Sequence, residues 1–232
     1  MTQKHIRTIR SFVKREGRLT HSQQQALETQ WQEFGVDFQS QPINFKELFG
    51  RDAETILEIG FGNGDSLFQM AQENPQKNFF GIEVHRPGVG RLLHKIEESN
   101  CKNIRLSYHD AVEVLEEQIA DNSIDRLQLF FPDPWHKKKH NKRRIVQDKF
   151  IEQVARILKA DGTFHLATDW EHYAKHMLST LNNSDLFTNT SKDNAYVPKP
   201  EERPTTKFEK RGQRLGHGVW DLLFQKNNLE SQ

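Results

Sequence analysis

The segment ETILEIGFGNGDSLFQMAQEN, Glu54 to Asn74, decides the fold. Its first seven residues form a short apolar run that ends at Gly60, the signature of a strand running into a turn. Residues 65–74 then carry apolar positions at helical spacing, and Pro75 stops them. The same unit recurs downstream. NFFGIEV (78–84) reads as a second strand, followed by a helix through GRLLHKIEESN. NIRLSY (103–108) and AVEVLEEQI (111–119) form the next strand and helix, and IDRLQLFF (124–131) and DKFIEQVARILK (148–159) the one after. GTFHLATD (162–169) is a fifth strand, with a helix from about Glu171 to Leu181 behind it, and GVWDLLFQK (218–226) alternates enough to be an antiparallel addition. Strands separated by helices of this length predict an α/β fold: a doubly wound, mostly parallel seven-stranded sheet with helices on both faces and the last strand antiparallel.

Ahead of this pattern, residues 1–20 read as extended or flexible and His21 to Phe34 as a short polar helix, with a break near Pro42. The expected division is a basic arm and helix over residues 1–40 and a single α/β domain over 41–232. No apolar run approaches the roughly 18 residues of a membrane span, and no signal-peptide core stands at the N-terminus. The single cysteine, Cys101, cannot form an internal disulfide, which suits a reducing cytoplasm. His136 and His140 stand four apart, but the lysines around them would repel a cation, so no metal site is expected.

Net charge is only +1, yet its distribution is uneven. Six Lys/Arg fall between Met1 and Arg18, six between His136 and Arg144, and six between Lys199 and Arg214. Three basic segments on an otherwise acidic body suit a polyanion-binding face.

In doubly wound sheets, ligands bind beyond the carboxyl ends of the strands. Strand one is followed by Gly60, Gly62 and Gly64, a G-x-G-x-G turn that departs from the dinucleotide pattern G-x-G-x-x-G. Glu83 ends strand two, where an acid can accept ribose hydroxyls, and Asp110 follows strand three, where a carboxylate can take the exocyclic amine of adenine. Glu58, just before the glycines, would repel a pyrophosphate but suits a ligand that carries a sulfonium and an ammonium group. Electrostatics therefore favour S-adenosylmethionine over a nicotinamide cofactor. Strand four delivers FFPDPWHKKKHNKRR (130–144), with Asp133 stiffened between Pro132 and Pro134. Trp135 is open to three readings: a pocket wall, a base-stacking surface, or a half-buried loop aromatic. PDPW also stands where amino-methylating enzymes carry a PPY-type motif, with an aspartate here in place of the polar pair.

Five separated motifs, EIGFGNG, GIEVHRPGV, FFPDPWHKKKHNKRR, ATDWEHYA and TKFEKRG, together closely resemble the bacterial tRNA (guanine-N7-)-methyltransferases over roughly residues 40 to 225. The resemblance implies a Rossmann-like enzyme that methylates a variable-loop guanosine of tRNA. It implies that Glu58, Gly60, Gly62, Glu83, Asp110 and Asp133 bind S-adenosylmethionine, with Asp133 also the catalytic residue. Lys137, Asp169, Thr206, Lys207, Phe208 and Glu209 would bind the guanosine, and Lys139, His140, Asn141, Lys142, Arg143 and Arg144 the RNA. A monomer or homodimer is expected. The alternatives are an amino-group methyltransferase acting on another nucleic acid or on protein, or a non-catalytic RNA-binding module.

Overall fold

The computed structural model describes residues 11–12, 17–206, 209 and 218–228. Seven strands form one sheet in the order β3-β2-β1-β4-β5-β7-β6. They are β1 (Thr55–Ile59), β2 (Asn78–Ile82), β3 (Ile104–Ser107), β4 (Ile124–Phe130), β5 (Leu158–Thr168), β6 (Phe187–Asn189) and β7 (Trp220–Lys226). The first five pair in parallel, and β7 runs antiparallel between β5 and β6. The expected fold class stands, with one addition. β6 is three residues long, too short to carry an alternation that a sequence pattern could reveal.

The helices are α1 (His21–Phe34), α2 (Phe45–Phe49), α3 (Asp65–Glu73), α4 (Arg86–Ser99), α5 (Ala111–Gln118), α6 (Asp148–Ile157) and α7 (Glu171–Asn182). Alternation along the strands sorts them onto two faces. Leu57, Ile59, Leu127, Leu129, Phe164 and Leu166 meet α5, α6 and α7 on one face. Ile56, Phe79, Ile104 and Leu106 meet α1, α3 and α4 on the other. Central strand β1 is buried along its whole length because both faces are covered.

Helix α1 begins with a reciprocal cap, in which the Thr20 side chain accepts from the Gln23 amide and the Gln23 side chain accepts from the Thr20 amide. It buries Ala26 and Phe34 in the same cluster as α4, and the Val36 amide donates to the Leu106 carbonyl at the edge of β3. Helix α1 thus shares the core of the sheet. Most of the basic arm before it lies outside the described residues.

On the face of β4, β5 and β7 away from α5–α7 lies a buried ion network. Arg203 is fully buried there, donating to both Asp221 oxygens and both Glu209 oxygens, with its guanidinium over the rings of Phe130 and Phe131. Burial pushes the pKa of His165 below its ordinary value despite the adjacent Asp221, so the neutral ring donates to that carboxylate at 2.9 Å.

Candidate active site

The chain order reverses direction across the sheet between β1 and β4, and a cavity of about 430 Å³ opens beyond their carboxyl ends. Gly60, Gly62, Glu83, Asp110, Pro132 and Asp133 all line it, from four different strand ends. Five of the six residues expected to bind the cofactor are thus brought to one wall. Glu58 is not on that wall. It lies inside the domain at 2% exposure, one residue before Ile59.

The glycine loop is built for close approach. Gly60 and Gly62 have φ of 74° and 59°, a region that side chains disfavour, and a Cβ on either would meet nothing within 4 Å. Behind the loop, α4 comes so near that a Cβ on Gly88 would stand 1.9 Å from the Gly62 carbonyl oxygen. The loop is therefore fixed from behind and open in front.

Glu83 is locked by its own backbone. One oxygen accepts from the amides of Val84 and His85 at 2.7 and 2.9 Å, and the other from Gly62 at 2.7 Å. A carboxylate offers about four acceptor positions, so three are filled by the fold and one stays open. The expectation that it accepts both ribose hydroxyls narrows to one. Burial holds the Glu83 pKa above its ordinary value, and the three amide bonds offset only part of that rise. Glu58 has no such support, because its Oε2 is buried without a partner, and burial with the nearby Glu83 charge pushes its pKa up to about 8. Asp110 caps α5 by accepting from the Val112 amide at 3.1 Å while its residue lines the cavity.

Asp133 is exposed at the cavity rim. Its loop is bracketed by two bulky residues in the left-handed region, Phe131 at φ 51° and Trp135 at φ 46°. Such conformations cost on the order of 1 kcal/mol each and persist only where neighbours fix them. The neighbours are visible. The Phe131 amide donates to Ala167, the Trp135 indole donates to the Ser11 carbonyl at 2.9 Å, and Arg143 stacks on Trp135 at 3.8 Å. Trp135 is thus a partly buried ring stacked by an arginine. Asp169 follows β5, and the adjacent Trp170 packs edge-on against His136 with ring centres 4.2 Å apart.

The basic run forms a 3-10 turn, Lys138–Arg143, directly outside the rim. Lys137, Lys138, Lys139 and Lys142 are exposed, and His140 and Asn141 half-buried. Partial desolvation and the charges of Lys139, Arg143, Lys137 and Lys142 push the His140 pKa below its ordinary value.

At two positions the structure departs from what the resemblance implies. Arg144, expected on the RNA face, is 3% exposed and turned inward. Glu209, expected on the guanosine, is 2% exposed with its carboxylate committed to Arg203 and Lys199. Thr206 accepts from the Glu209 amide at 3.1 Å. Lys207 and Phe208 lie outside the described residues. Sequence reasoning passed over Arg203, whose only signal is an arginine between two acids and a proline in an apparently solvated loop.

A family profile described as "Putative methyltransferase" matches residues 52–222. A tRNA (guanine-N(7)-)-methyltransferase of Shewanella sp. (strain MR-4) is 59% identical over 223 residues, covering 96% of this chain and 94% of the relative. The enzyme of that name from Serratia proteamaculans (strain 568) is 60% identical over 221 residues, covering 95% and 92%. The chain belongs to the tRNA (guanine-N(7)-)-methyltransferase family. Among solved structures, the 16S rRNA methyltransferase KamB matches with a TM-score of 0.55 at 14% identity, over 79% of this chain and 92% of that one. A putative methyltransferase from Streptococcus mutans, solved with SAH, matches with a TM-score of 0.51 at 13% identity, over 76% and 90%. At such identity these two speak for the fold alone. Among the described residues, no helix is long and apolar enough to cross a membrane.

Proposed function

We propose that the chain transfers the methyl group of S-adenosylmethionine to N7 of a guanine in tRNA, forming N7-methylguanosine. The observation that carries this reading is the placement of Asp133, an exposed acid at the end of β4. One side of it is the glycine-and-carboxylate cavity, and the other is the lysine-rich turn.

The residues present fit the cofactor. Gly60 and Gly62 leave open space in front of the backbone, Glu83 keeps one acceptor position for a ribose hydroxyl, and the unpartnered Oε2 of Glu58 is an acid awaiting a positive partner. The cofactor supplies an electrophilic methyl on a sulfonium. Guanine N7 carries an in-plane lone pair and no proton, so the acceptor needs no general base and the site's main task is alignment, which can supply several kcal/mol. Asp133 and Asp169 both stand at strand ends facing the same edge of the sheet, and the base gains positive charge as N7 is methylated. A carboxylate beside it favours that charge, and one facing the Watson–Crick edge accepts from N1–H and N2–H₂ of guanine but not from adenine. Lys138, Lys139, Lys142 and Arg143 supply the phosphate contacts. Thr206 belongs to the segment that faces the base, and Glu209 serves that segment by anchoring it to Arg203.

Incubation with an unmodified tRNA transcript and methyl-labelled donor tests this. The label is expected at one variable-loop guanosine, in a product that aniline cleaves after borohydride reduction. Label on an exocyclic amine would indicate the amino-group reading instead.

A further inference from the structure

We propose that Arg144 is a positioning residue that fixes the Asp133 and Asp169 loops relative to each other, and that it makes no phosphate contact. The inference rests on the methyltransferase reading above. Although Arg144 closes a run of six Lys/Arg, its side chain turns away from the others. Its Nε donates at 3.0 Å to the carbonyl of Pro134, the residue immediately after Asp133. One Nη donates to Nδ1 of His172 at 3.1 Å, in the first turn of α7, three residues after Asp169. Because arginine can only donate, that bond also fixes the His172 ring as the acceptor. The guanidinium plane lies 4.8 Å from the ring centre of Tyr173, itself fully buried.

One rigid fork therefore joins three pieces of chain: the loop after β4, the loop after β5 and the end of the basic turn, whose last bond is the Arg144 amide to Asn141. The flanking residues Phe131 and Trp135 hold strained backbone angles, and between them the Pro134 carbonyl is held by Arg144. Release of the Pro134 carbonyl would let the loop relax, and displacement of a reacting group by about 1 Å can cost about a hundredfold in rate. A phosphate contact requires exposed donors. Arg144 is 3% exposed, and two of its five donors are directed at Pro134 and His172.

The two roles separate in single-turnover methyl transfer measured alongside tRNA binding over a salt series. For Arg144→Gln the rate at saturating tRNA and donor should fall by about tenfold to a hundredfold. The tRNA dissociation constant and its salt slope should stay at wild-type values. His172→Ala, which removes one of the two bonds, should show a smaller rate loss with the same unchanged slope. Should Arg144→Gln not fold, Arg144→Lys keeps the charge without the planar fork and is expected to lose rate at an unchanged slope. A slope shallower by about 0.7–0.9 with the saturated rate intact would make Arg144 a phosphate contact and overturn the proposal. Wild-type rate and wild-type slope together would also overturn it. A wild-type protein that methylates no tRNA would overturn the underlying reading and this proposal with it, whereas an active wild type beside an unaffected variant removes the proposal alone.

Discussion

At the scale of single residues, two neighbouring acids, Glu83 on the cavity wall and Glu58 behind it, stand in opposite circumstances. Glu83 accepts three amides, while the Glu58 Oε2 accepts nothing. A carboxyl whose folded pKa is raised to about 8 binds a proton that the unfolded chain releases near its ordinary pKa of about 4.5. Between those two values the folded state holds more protons than the unfolded one, so stability falls as pH rises through that window. Glu58→Gln removes the liability. Its midpoint in denaturant should exceed that of the wild type by a margin that grows from pH 5 to pH 8, on the order of a few kcal/mol at the upper end. The same variant should bind S-adenosylmethionine more weakly, because the cofactor's positive groups lose their acid. A margin independent of pH would remove the buried carboxyl from the account. In the wild type, calorimetry in buffers of differing ionisation enthalpy should show a proton released on cofactor binding below pH 8. Asp133 makes the contrasting case: it is exposed at the rim, so Asp133→Asn should leave the melting temperature within about 1 °C while methyl transfer falls by about two orders of magnitude or more. Near-normal turnover would take it out of the chemistry.

At the scale of elements, the glycine loop and the basic turn were legible in sequence for different reasons. Gly60, Gly62 and Gly64 announce a left-handed turn because few other residues adopt one, and the strand before them ends in an apolar run with one conspicuous acid. The lysines of the 3-10 turn announced charge but not direction. Nothing in a run of like charges says that its last member points inward, as Arg144 does. The burial of Glu209 is equally invisible in sequence, because its partner Arg203 stands six residues upstream in a stretch without periodicity. Helix α2 and strand β6 are too short for any pattern to distinguish them from loop. The exposed charges of the turn carry the next prediction. Lys139→Gln with Lys142→Gln should weaken tRNA binding and flatten its salt dependence by about 0.7–0.9 per lost contact, with cofactor affinity unchanged. An unaltered slope would mean that these lysines only solvate the surface.

At the scale of the whole molecule, the described chain is one sheet that carries a buried ion network against β5 and β7. Arg203 satisfies Asp221 and Glu209 together, and it supports the two phenylalanines that lead into the Asp133 loop. Arg203→Ala would leave Asp221 with only the His165 ring and Glu209 with only Lys199, and would strip both buried carboxylates of their guanidinium partner, at a cost of about 3–5 kcal/mol, which for a domain of this size lowers the melting temperature by roughly 10 °C. A change within about 2 °C by calorimetry would show that the network is dispensable.

The central claim concerns a single atom, and a single-atom substitution tests it. A tRNA carrying 7-deazaguanosine at the target nucleotide keeps the shape and Watson–Crick edge of guanosine but replaces N7 with a C–H group that has no lone pair. The account predicts that the protein binds this tRNA with essentially unchanged affinity and salt dependence and transfers no methyl group to it. Continued methylation of that nucleotide would place the acceptor on another atom and contradict the account.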